Sequence, residues 1–506
     1  MKTLLGIDVG TSGTKTALFG LDGALIASHT DEYPMAQPQN GWAEQDPADW
    51  WRAAANGIRA VLAEADGAEV AGIGLSGQMH GLVMLGKDGG VLRPSIIWCD
   101  QRTEAETEDM DRLVGRQRII EITANAPMTG FTAAKILWVK KHEPEIYEKC
   151  AHILLPKDYI RYKLTGEFAT EVSDASGMQL MDVPKRGWSA EMTGKLGIDR
   201  ALLAKMHESQ DVTGVTSSLC ARLTGLAAGI PVVGGAGDNP AAAVGTGVVA
   251  QGRAFTTIGS SAVVYAVSDE VRIDLKGRVH ALCASVPGKW TVMSCTQGAG
   301  LSLQWLRNNV CTEETREGEA VGLDPYILMD RLAEAAPIGA GRLLFLPYLM
   351  GERSPHPDPD CRGVFFGLSG VHKRANLVRA VMEGVAFSQL ECVEVFREMG
   401  VPANDMVITG GGAKSRLWRQ MLADLYGCPV SVPASDGGAA LGAAILAGAG
   451  AGVFGGIEEA CGQLVGKGGT LAPDAGRGKA YAPYFELYKK LYLSLKDDFK
   501  ALGGIA

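Results

Sequence analysis

The chain has 506 residues, which corresponds to roughly two to four domains, and its 46% hydrophobic and 21% charged residues are ordinary for a globular protein. Its net charge of −9 leaves no basic excess that would draw the chain onto nucleic acid or anionic lipid, so neither is expected as a partner. The ten cysteines lack zinc-like spacing and no apolar run is long enough to span a bilayer, which together predict a reduced, cytoplasmic protein.

The first predicted elements are two strands joined by a tight turn. Residues 3–9 form an apolar run, residues 10–13 form the turn, and a second strand begins at Lys15. Glycines let such a turn approach a phosphate closely, Thr11 and Ser12 offer hydroxyl donors, and Lys15 adds a positive charge. We interpret this hairpin as a phosphate-binding element. An ordinary surface hairpin is the alternative, because the motif is short and no Walker A pattern is present.

The next elements continue this first unit. The sequence predicts a third strand over residues 24–29, a helix over 48–65 that starts at an Asp-Pro signal, and a buried strand over 70–76. This order of three strands, a helix and a strand resembles the ribonuclease H-like unit of the actin and sugar-kinase superfamily, although a fold alone does not give a function.

Polar and aromatic residues follow two of the predicted strands and are candidates for contacts with a polyol. Met79 and His80 lie between glycines after the strand 70–76, and Trp98 and Asp100 lie at the end of a strand predicted over 95–98. A tryptophan there can stack on a sugar face, and a histidine can bind a hydroxyl. Structural roles in the core are the alternative for all of them.

Two carboxylates are placed for chemistry at strand ends. Asp8 closes the first strand, where it could hold a magnesium ion through water. A strand predicted over 230–235 runs through glycines into Asp238 and Asn239, and a carboxylate in such a position can accept a proton from an attacking hydroxyl. The alternative for Asp238 is a capping role for a helix that begins at Pro240.

A second hairpin repeats the pattern of the first. Strands are predicted over 253–258 and 262–267, and Gly259 and Ser260 lie in the turn between them as a second phosphate contact, with a plain turn as the alternative. This weak internal duplication predicts two domains, residues 1–245 and residues 246–506, that share a cleft. No low-complexity linker marks the boundary.

Glycine-rich segments mark the last third of the chain. Gly411, Gly412 and Ser415 follow an apolar strand and precede a helix, which leaves room for a ribose or a flat ring against the backbone. The Ala- and Gly-rich stretch 439–452 predicts a helix packed closely on a sheet. Residues 310–325 and the segment after Gly466 gave no chemical prediction.

Together these residues resemble the FGGY family of carbohydrate kinases over nearly the whole chain. Two stretches match its signature patterns, residues 130–142 and residues 363–383. The resemblance implies an α/β fold of two ribonuclease H-like, actin-like ATPase domains with a cleft between them, and it implies ATP and Mg²⁺ as cofactors. It further implies that Asp238 is the general base, that Asp8 lies near the metal, and that Met79, His80 and Asn239 contact the sugar.

Within that family, the motifs SGQMHG, LRPSIIWCDQR and GAGDN are most similar to those of kinases that phosphorylate D-xylulose. The resemblance leaves three alternatives open. The chain could phosphorylate another pentulose, a pentitol or glycerol; it could be an actin-like ATPase or chaperone; or it could be a non-catalytic sugar-binding regulator. The small-molecule sugar and ATP are the expected partners, and assembly as a homodimer is left open.

Overall fold

The computed structural model describes residues 1–434 and 437–505, which form two compact units. Unit 1 contains the described residues of Met1–Ala250, Val267–Thr291 and Ser435–Gly466. Unit 2 contains the described residues of Gln251–Ala266, Val292–Ala434 and Lys467–Ala506. The chain therefore returns to unit 1 late in its course, after most of unit 2 has been formed.

The strands are β1 (Lys2–Val9), β2 (Gly13–Gly20), β3 (Leu25–Glu32), β4 (Glu44–Gln45), β5 (Glu69–Gly77), β6 (Val83–Leu85), β7 (Ser95–Ile96), β8 (His152–Leu154), β9 (Ala169–Glu171), β10 (Met181–Asp182), β11 (Gly187–Trp188), β12 (Lys205–His207), β13 (Val212–Val215), β14 (Pro231–Val233), β15 (Ala236–Gly237), β16 (Gly252–Ile258), β17 (Ala262–Ser268), β18 (His280–Cys283), β19 (Trp290–Thr296), β20 (Leu344–Leu346), β21 (Val364–Phe366), β22 (Ala403–Thr409), β23 (Val430–Pro433) and β24 (Lys467–Leu471).

The α-helices are α1 (Pro47–Glu64), α2 (Glu104–Val114), α3 (Arg116–Thr123), α4 (Thr132–His142), α5 (Pro144–Lys149), α6 (Pro156–Thr165), α7 (Val172–Ala175), α8 (Ala190–Leu196), α9 (Ser218–Thr224), α10 (Asp238–Gly245), α11 (Gly300–Asn309), α12 (Thr312–Val321), α13 (Pro325–Ala335), α14 (Arg374–Glu398), α15 (Arg416–Tyr426), α16 (Gly438–Gly450), α17 (Ile457–Leu464) and α18 (Ala475–Gly503). Short 3₁₀ helices span Ser176–Met178, Arg200–Leu202 and Gly411–Lys414.

The sheet of unit 1 has the strand order β13-β14-β5-β1-β2-β3, and β15 also pairs with β5. β1 runs antiparallel to β2 and parallel to β5, while β15 runs parallel to β5. In this register Asp8 lies opposite Ser76 on one side of β5, and Gly237 lies opposite Gly77 on the other side. The carboxyl ends of β1, β5 and β15 therefore meet at one edge of the sheet.

The sheet of unit 2 repeats this arrangement of strands. Its order includes β19-β17-β16-β22-β23-β24. β16 runs antiparallel to β17 and parallel to β22, β22 runs parallel to β23, and β23 runs antiparallel to β24. The two hairpins that looked alike in the sequence thus occupy equivalent places in their sheets.

Helix α16 lies directly on the sheet of unit 1, which confirms the close-packed helix predicted for the Ala- and Gly-rich stretch. A Cβ atom added to Gly6 of β1 would overlap the carbonyl oxygen of Ala440, and one added to Gly74 of β5 would overlap that of Ala443. Gly442 of α16 meets α10 in the same way, at the carbonyl oxygen of Ala241. Glycine is required at these contacts because the backbones touch without a side chain between them.

Several predicted boundaries differ from the structure for local reasons. The strand predicted over 230–235 ends at Val233, and β15 follows only after Gly235, whose φ is +77° and where a Cβ atom would overlap the Leu75 carbonyl. Helix α1 begins at Pro47, and Asp46 caps it by accepting a hydrogen bond of 2.8 Å from the Ala48 N–H. Residues 310–325, which gave no prediction, contain the acidic helix α12.

All ten cysteines, which lie within the described ranges, are free thiols. Among residues 1–434 and 437–505, no helix combines the length and the apolar composition that crossing a membrane requires.

The glycine contacts of α16 predict a large effect of a single methyl group. We expect Gly74→Ala to lower the stability of the protein by about 1–3 kcal/mol, because its Cβ overlaps the Ala443 carbonyl and the backbones must separate. The matched control is Gly462→Ala on α17, where no atom lies within 4 Å of the added Cβ and a gain of about 0.5–1 kcal/mol is expected. Thermal unfolding measures both variants. Equal melting temperatures for Gly74→Ala and the wild type would show that this contact does not constrain the fold.

Candidate active site

Asp8 lies at the carboxyl end of β1, where its pairs in the sheet are Ser76 of β5 and Lys15 of β2. Burial raises the pKa of Asp8, and the neighbouring Ser76 hydroxyl and Lys15 charge partly offset this rise. Within the described part of the chain its Oδ1 atom is buried without a hydrogen-bond partner. The structure therefore holds a partly desolvated carboxylate with unused acceptor capacity beside the first hairpin.

The turn of this first hairpin is fixed by side chains from three other segments. The Gly10 carbonyl accepts a bond of 2.5 Å from the Tyr33 hydroxyl, and the Thr11 carbonyl accepts one of 2.7 Å from Gln45 Nε2. The Thr11 hydroxyl accepts a bond of 2.9 Å from the Trp98 indole. Trp98 was predicted to stack on a sugar face, which stays a prediction, and its indole N–H bonds to the hairpin. Of the other two predicted residues in the hairpin, Ser12 is exposed and Lys15 is half-buried.

Two buried glutamines that the sequence did not indicate connect this turn to the segment before Met79. Gln78 Nε2 donates to Gln45 Oε1 at 2.8 Å, and the Trp50 indole donates to the same oxygen at 3.2 Å. Because an indole N–H only donates, it fixes the orientation of the Gln45 amide, and the Gln78 amide follows. Gln78 belongs to the motif SGQMHG, but only the tertiary contacts show its bond to Gln45.

Asp238 is the first residue of α10 and directly follows β15. Its Oδ1 atom accepts bonds from the Asn239 backbone N–H at 2.7 Å and from Asn239 Nδ2 at 2.9 Å. Burial, and then the nearby charge of Asp8, raise its pKa to about 7, although the bonds from Asn239 lower it. A carboxylate with this pKa can accept a proton efficiently near neutral pH.

The structure brings Met79 and His80 to the same edge of the sheet. Met79 is buried, and a Cβ atom added to Gly237, the residue before Asp238, would lie 2.7 Å from its Cγ. His80 is half-buried and has the left-handed φ of +68°, which is uncommon for a residue other than glycine. Met79 therefore lies beside the turn that carries the predicted base, and His80 follows it directly in the chain.

Asp100 occupies a different environment from the other predicted sugar contacts. It is fully buried, it accepts a bond of 2.6 Å from the Ala43 N–H, and it forms an ion pair of 2.7 Å with Arg102. Arg102 also pairs with Glu44 at 2.7 Å. Protein groups thus bind both carboxylate oxygens, which favours the structural alternative for Asp100.

A buried charged cluster supports the turn before Asp238. Lys157 Nζ lies 2.8 Å from Asp158, 3.3 Å from Glu171 and 3.5 Å from Asp174. Glu171 accepts a bond of 2.9 Å from the Ser173 hydroxyl, which in turn accepts one of 3.3 Å from the Gly237 N–H. Burial raises the pKa of Asp174 well above its ordinary value.

Unit 2 contains a cavity of about 480 Å³, which is within the usual range for a small-molecule site. Both polar and apolar residues line it: Ile258, Gly259, Ser260, Gly300, Leu303, Gln304, Asp324, Tyr326, Ile327, Asp330, Gly411, Gly412, Lys414, Ser415 and Trp418. This set includes every nucleotide-binding residue that was predicted in unit 2. The residues predicted in unit 2 thus form part of the wall of this cavity, and their role in nucleotide binding stays a prediction.

The three consecutive glycines at 410–412, called the glycine triplet here, differ in their structural roles. Gly410 has φ +80°, and a Cβ atom added to Gly412 would lie 2.5 Å from Ile258 Cγ2. A Cβ atom added to Gly411 would meet only the Ile258 carbonyl oxygen, at 4.0 Å. Gly410 and Gly412 are therefore needed for the turn and the packing, whereas Gly411 leaves space in the cavity. Ser415 caps α15 by accepting a bond of 3.0 Å from the Trp418 N–H.

The turn of the second hairpin is held by the start of α11. The Gly259 carbonyl accepts a bond of 2.8 Å from the Gly300 N–H, and the Ser260 carbonyl accepts one of 3.0 Å from the Leu301 N–H. Glu352 fixes the loop before α11 by accepting a bond of 2.8 Å from the Gln297 N–H, and burial raises its pKa to about 8.

The sequence missed the wall of the cavity that lies around the start of α13. Asp324 caps this helix by accepting a bond of 3.0 Å from the Tyr326 N–H. Burial raises the pKa of Asp330, and the neighbouring Ser415 hydroxyl opposes that rise. The Asp-Pro pair before α13 is a helix start signal that could have located this segment. No sequence signal placed it against the glycine triplet.

Comparisons with known proteins show the family and the fold of the chain. The family model "FGGY family of carbohydrate kinases, N-terminal domain" matches residues 3–245, and its C-terminal counterpart matches residues 254–451. The xylulose kinase of Bacillus subtilis (strain 168) is 38% identical over 504 residues, which are 99% of each chain. The xylulose kinase of Escherichia coli (strain K12) is 38% identical over 492 residues, 97% of this chain and 99% of that protein.

The crystal structure of xylulose kinase from Rhodospirillum rubrum is 30% identical, has a TM-score of 0.92, and covers 98% of this chain and 100% of its own. The predicted α/β fold with two ribonuclease H-like, actin-like domains is thereby confirmed. The matches cover most of the chain in both domains, and the chain belongs to the FGGY family of carbohydrate kinases.

Proposed function

We propose that the protein transfers the γ-phosphate of ATP to the terminal hydroxyl of D-xylulose and that Asp238 is the general base. The observation that carries this proposal is the environment of Asp238, whose pKa is raised to about 7 at the end of β15 with Met79 beside it. The names of the similar xylulose kinases support D-xylulose as the substrate. Assembly as a homodimer and a cytoplasmic location stay predictions.

In this mechanism the sugar hydroxyl gives its proton to Asp238 as its oxygen attacks the γ-phosphorus of ATP in line, and the bond from that phosphorus to the bridging oxygen breaks so that ADP leaves. The two bonds from Asn239 to Oδ1 orient the carboxylate and remain in place when the proton arrives. Met79 shapes the wall beside the reacting hydroxyl, and His80 and Asn239 bind other hydroxyls of the ketose. Trp98 contributes indirectly, because its indole N–H bonds to the Thr11 hydroxyl and fixes the position of that group.

The adenosine of ATP binds in the cavity of unit 2, with its ribose or base against Gly411 and Gly412 and with Ser415 as a polar contact. Gly259 and Ser260, which line the same cavity, contact the phosphates. In unit 1 the first hairpin offers hydroxyl groups and the Lys15 charge to phosphate oxygens. Such fixed positive and hydrogen-bonding groups stabilise the charge that develops on the transferred phosphoryl group.

The residues of unit 1 fit a magnesium ion that is bound mainly by phosphate and water. Asp8 has a buried oxygen without a hydrogen-bond partner in the described part of the chain, which suits a water-mediated contact to the ion. Residues 1–434 and 437–505 contain no group of three or more His, Cys, Asp or Glu side chains arranged to hold a metal. When bound, Mg²⁺ would neutralise charge on the phosphates, and Asp8 would orient it.

Removal of the base should abolish most of the activity. We expect Asp238→Asn to lower the rate of phosphoryl transfer by about 10²–10⁴-fold, because an amide cannot accept the proton. The wild-type rate should fall as the pH decreases through about 7, since the base must be ionised, and the variant should lose this dependence. Single-turnover formation of ADP across neutral pH measures both effects. The exposed Asp497→Asn is the matched control, and a wild-type rate in Asp238→Asn would refute the assignment.

The glycine triplet allows nucleotide binding to be tested separately from folding. We expect Gly411→Val to raise the KM for ATP by on the order of 10-fold or more and to leave the KM for the sugar unchanged, because the side chain enters the cavity. Gly412→Ala should instead lower the melting temperature, since its Cβ meets Ile258. Steady-state kinetics and thermal unfolding distinguish the two. An unchanged KM for ATP in a folded Gly411→Val variant would move the nucleotide elsewhere.

Substrate selectivity should follow the number and the configuration of the hydroxyl groups. We expect kcat/KM to decrease from D-xylulose to D-ribulose or a pentitol and then to glycerol, because a site whose polar groups lose a partner can discriminate by up to about 10⁴–10⁵-fold. A coupled assay of ADP release over these sugars gives the order. Equal or better use of glycerol would overturn the substrate assignment. ATP hydrolysis at the full rate without any sugar would favour the actin-like ATPase alternative.

A further inference from the structure

His80 is held in an unusual conformation by residues that have no role in the mechanism above. Its φ of +68° places it in the left-handed region, where a residue with a Cβ atom is strained. Such strain persists only where the surroundings fix the conformation, and it often marks a functional position. The groups that fix His80 should therefore matter for what this residue does.

The backbone of His80 is held by the start of α4. Lys135 Nζ donates to the His80 carbonyl at 2.9 Å and to the Gly130 carbonyl at 2.8 Å, and the Thr132 hydroxyl donates to the His80 carbonyl at 3.1 Å. Lys135 is completely buried, and burial lowers its pKa to about 7. Burying a lysine ammonium group that donates to two uncharged carbonyls costs free energy, so the position of Lys135 requires an explanation.

The imidazole ring of His80 is confined on two sides. A Cβ atom added to Gly177 would overlap Nδ1 and Cε1 of the ring, and the third-nearest atom to it also belongs to His80. Phe131 packs its ring edge-on against the imidazole, with centroids 4.5 Å apart and an interplanar angle of 76°. The ring thus rests on the bare backbone of the 3₁₀ helix Ser176–Met178.

The absence of a side chain at Gly177 is not explained by its own backbone. Its φ lies outside the left-handed region, so an alanine could adopt the same conformation. The three atoms nearest to an added Cβ all belong to the His80 imidazole. The His80 ring therefore explains why this position is a glycine.

We propose that Gly177 and Lys135 are positioning residues that set the place of the His80 imidazole and thereby the selectivity of the enzyme among sugars. Lys135 fixes the backbone from one side, and Gly177 leaves the space into which the ring settles. This inference rests on the proposed role of His80 as a sugar contact. It adds that this contact depends on two residues that do not themselves touch the sugar.

The first test is Gly177→Ala. The added methyl group should displace the ring and lower kcat/KM for D-xylulose by up to about 10²-fold, as expected for a misplacement of about 1 Å, and the discrimination against D-ribulose should shrink. The KM for ATP should stay within about two-fold, since the nucleotide cavity is untouched. Gly194→Ala on α8 is the matched control, because no atom lies within 4 Å of its added Cβ.

A double-mutant cycle separates this proposal from a general effect on structure. In a His80→Ala background the imidazole is gone, so adding Gly177→Ala should cost nothing further in kcat/KM. Lys135→Met should likewise raise the KM for the sugar and leave that for ATP unchanged, and it provides a second readout if Gly177→Ala does not fold. An equal loss from Gly177→Ala in both backgrounds would overturn the proposal.

The outcomes also distinguish this inference from the proposed function. If the wild type phosphorylates a different sugar, the substrate assignment fails, and the same cycle is measured on the sugar that is used. If His80→Ala changes kcat/KM for no sugar while D-xylulose remains the substrate, the function stands and the positioning role is wrong. If Gly177→Ala lowers kcat/KM when His80 is present and has no effect in the His80→Ala background, the proposal is supported, whichever sugar is the substrate.

Discussion

Direct backbone packing of α16 on its neighbours is the constraint on which the sheet edge with Asp8 and Asp238 depends. Gly6 and Gly74 let the helix touch β1 and β5, and Gly442 lets it touch α10. Because no side chains separate these backbones, the distances among the four elements can change little. β1 ends near Asp8 and α10 begins at Asp238, so one helix fixes the positions of both carboxylates. This also explains why a segment so late in the chain returns to unit 1.

The same geometry creates the electrostatic state of the site. A carboxylate at the first turn of a helix would ordinarily have a lowered pKa, because the helix dipole favours negative charge there. Burial and the proximity of Asp8 outweigh this effect at Asp238, and its pKa rises to about 7. The Lys157 cluster supports the adjacent turn through Ser173 and Glu171. The arrangement costs stability, which is a common feature of sites that bring like charges together.

The sequence by itself determined most of the local architecture. Both glycine–hydroxyl hairpins, the glycine triplet with Gly411, the close-packed helix α16 and the strand end at Asp238 were predicted from residue types at short spacing. These features are readable because they depend on neighbours along the chain. A glycine permits a turn, a hydroxyl group follows it, and an apolar run precedes both. The resemblance to family motifs then supplied the chemistry that local patterns leave open.

Only the tertiary structure decided which distant groups meet. Gln45 and Gln78 support the first hairpin, Asp100 forms an ion pair with Arg102, and Asp330 reaches the cavity of unit 2 from a separate helix. Gly177 could be assigned to the His80 ring only once the 3₁₀ helix was seen beneath it. The physical reason is common to all of these cases. A residue type and its spacing specify what a side chain can bond to, but the partner 30 or 100 positions away is chosen by how the sheets and helices pack.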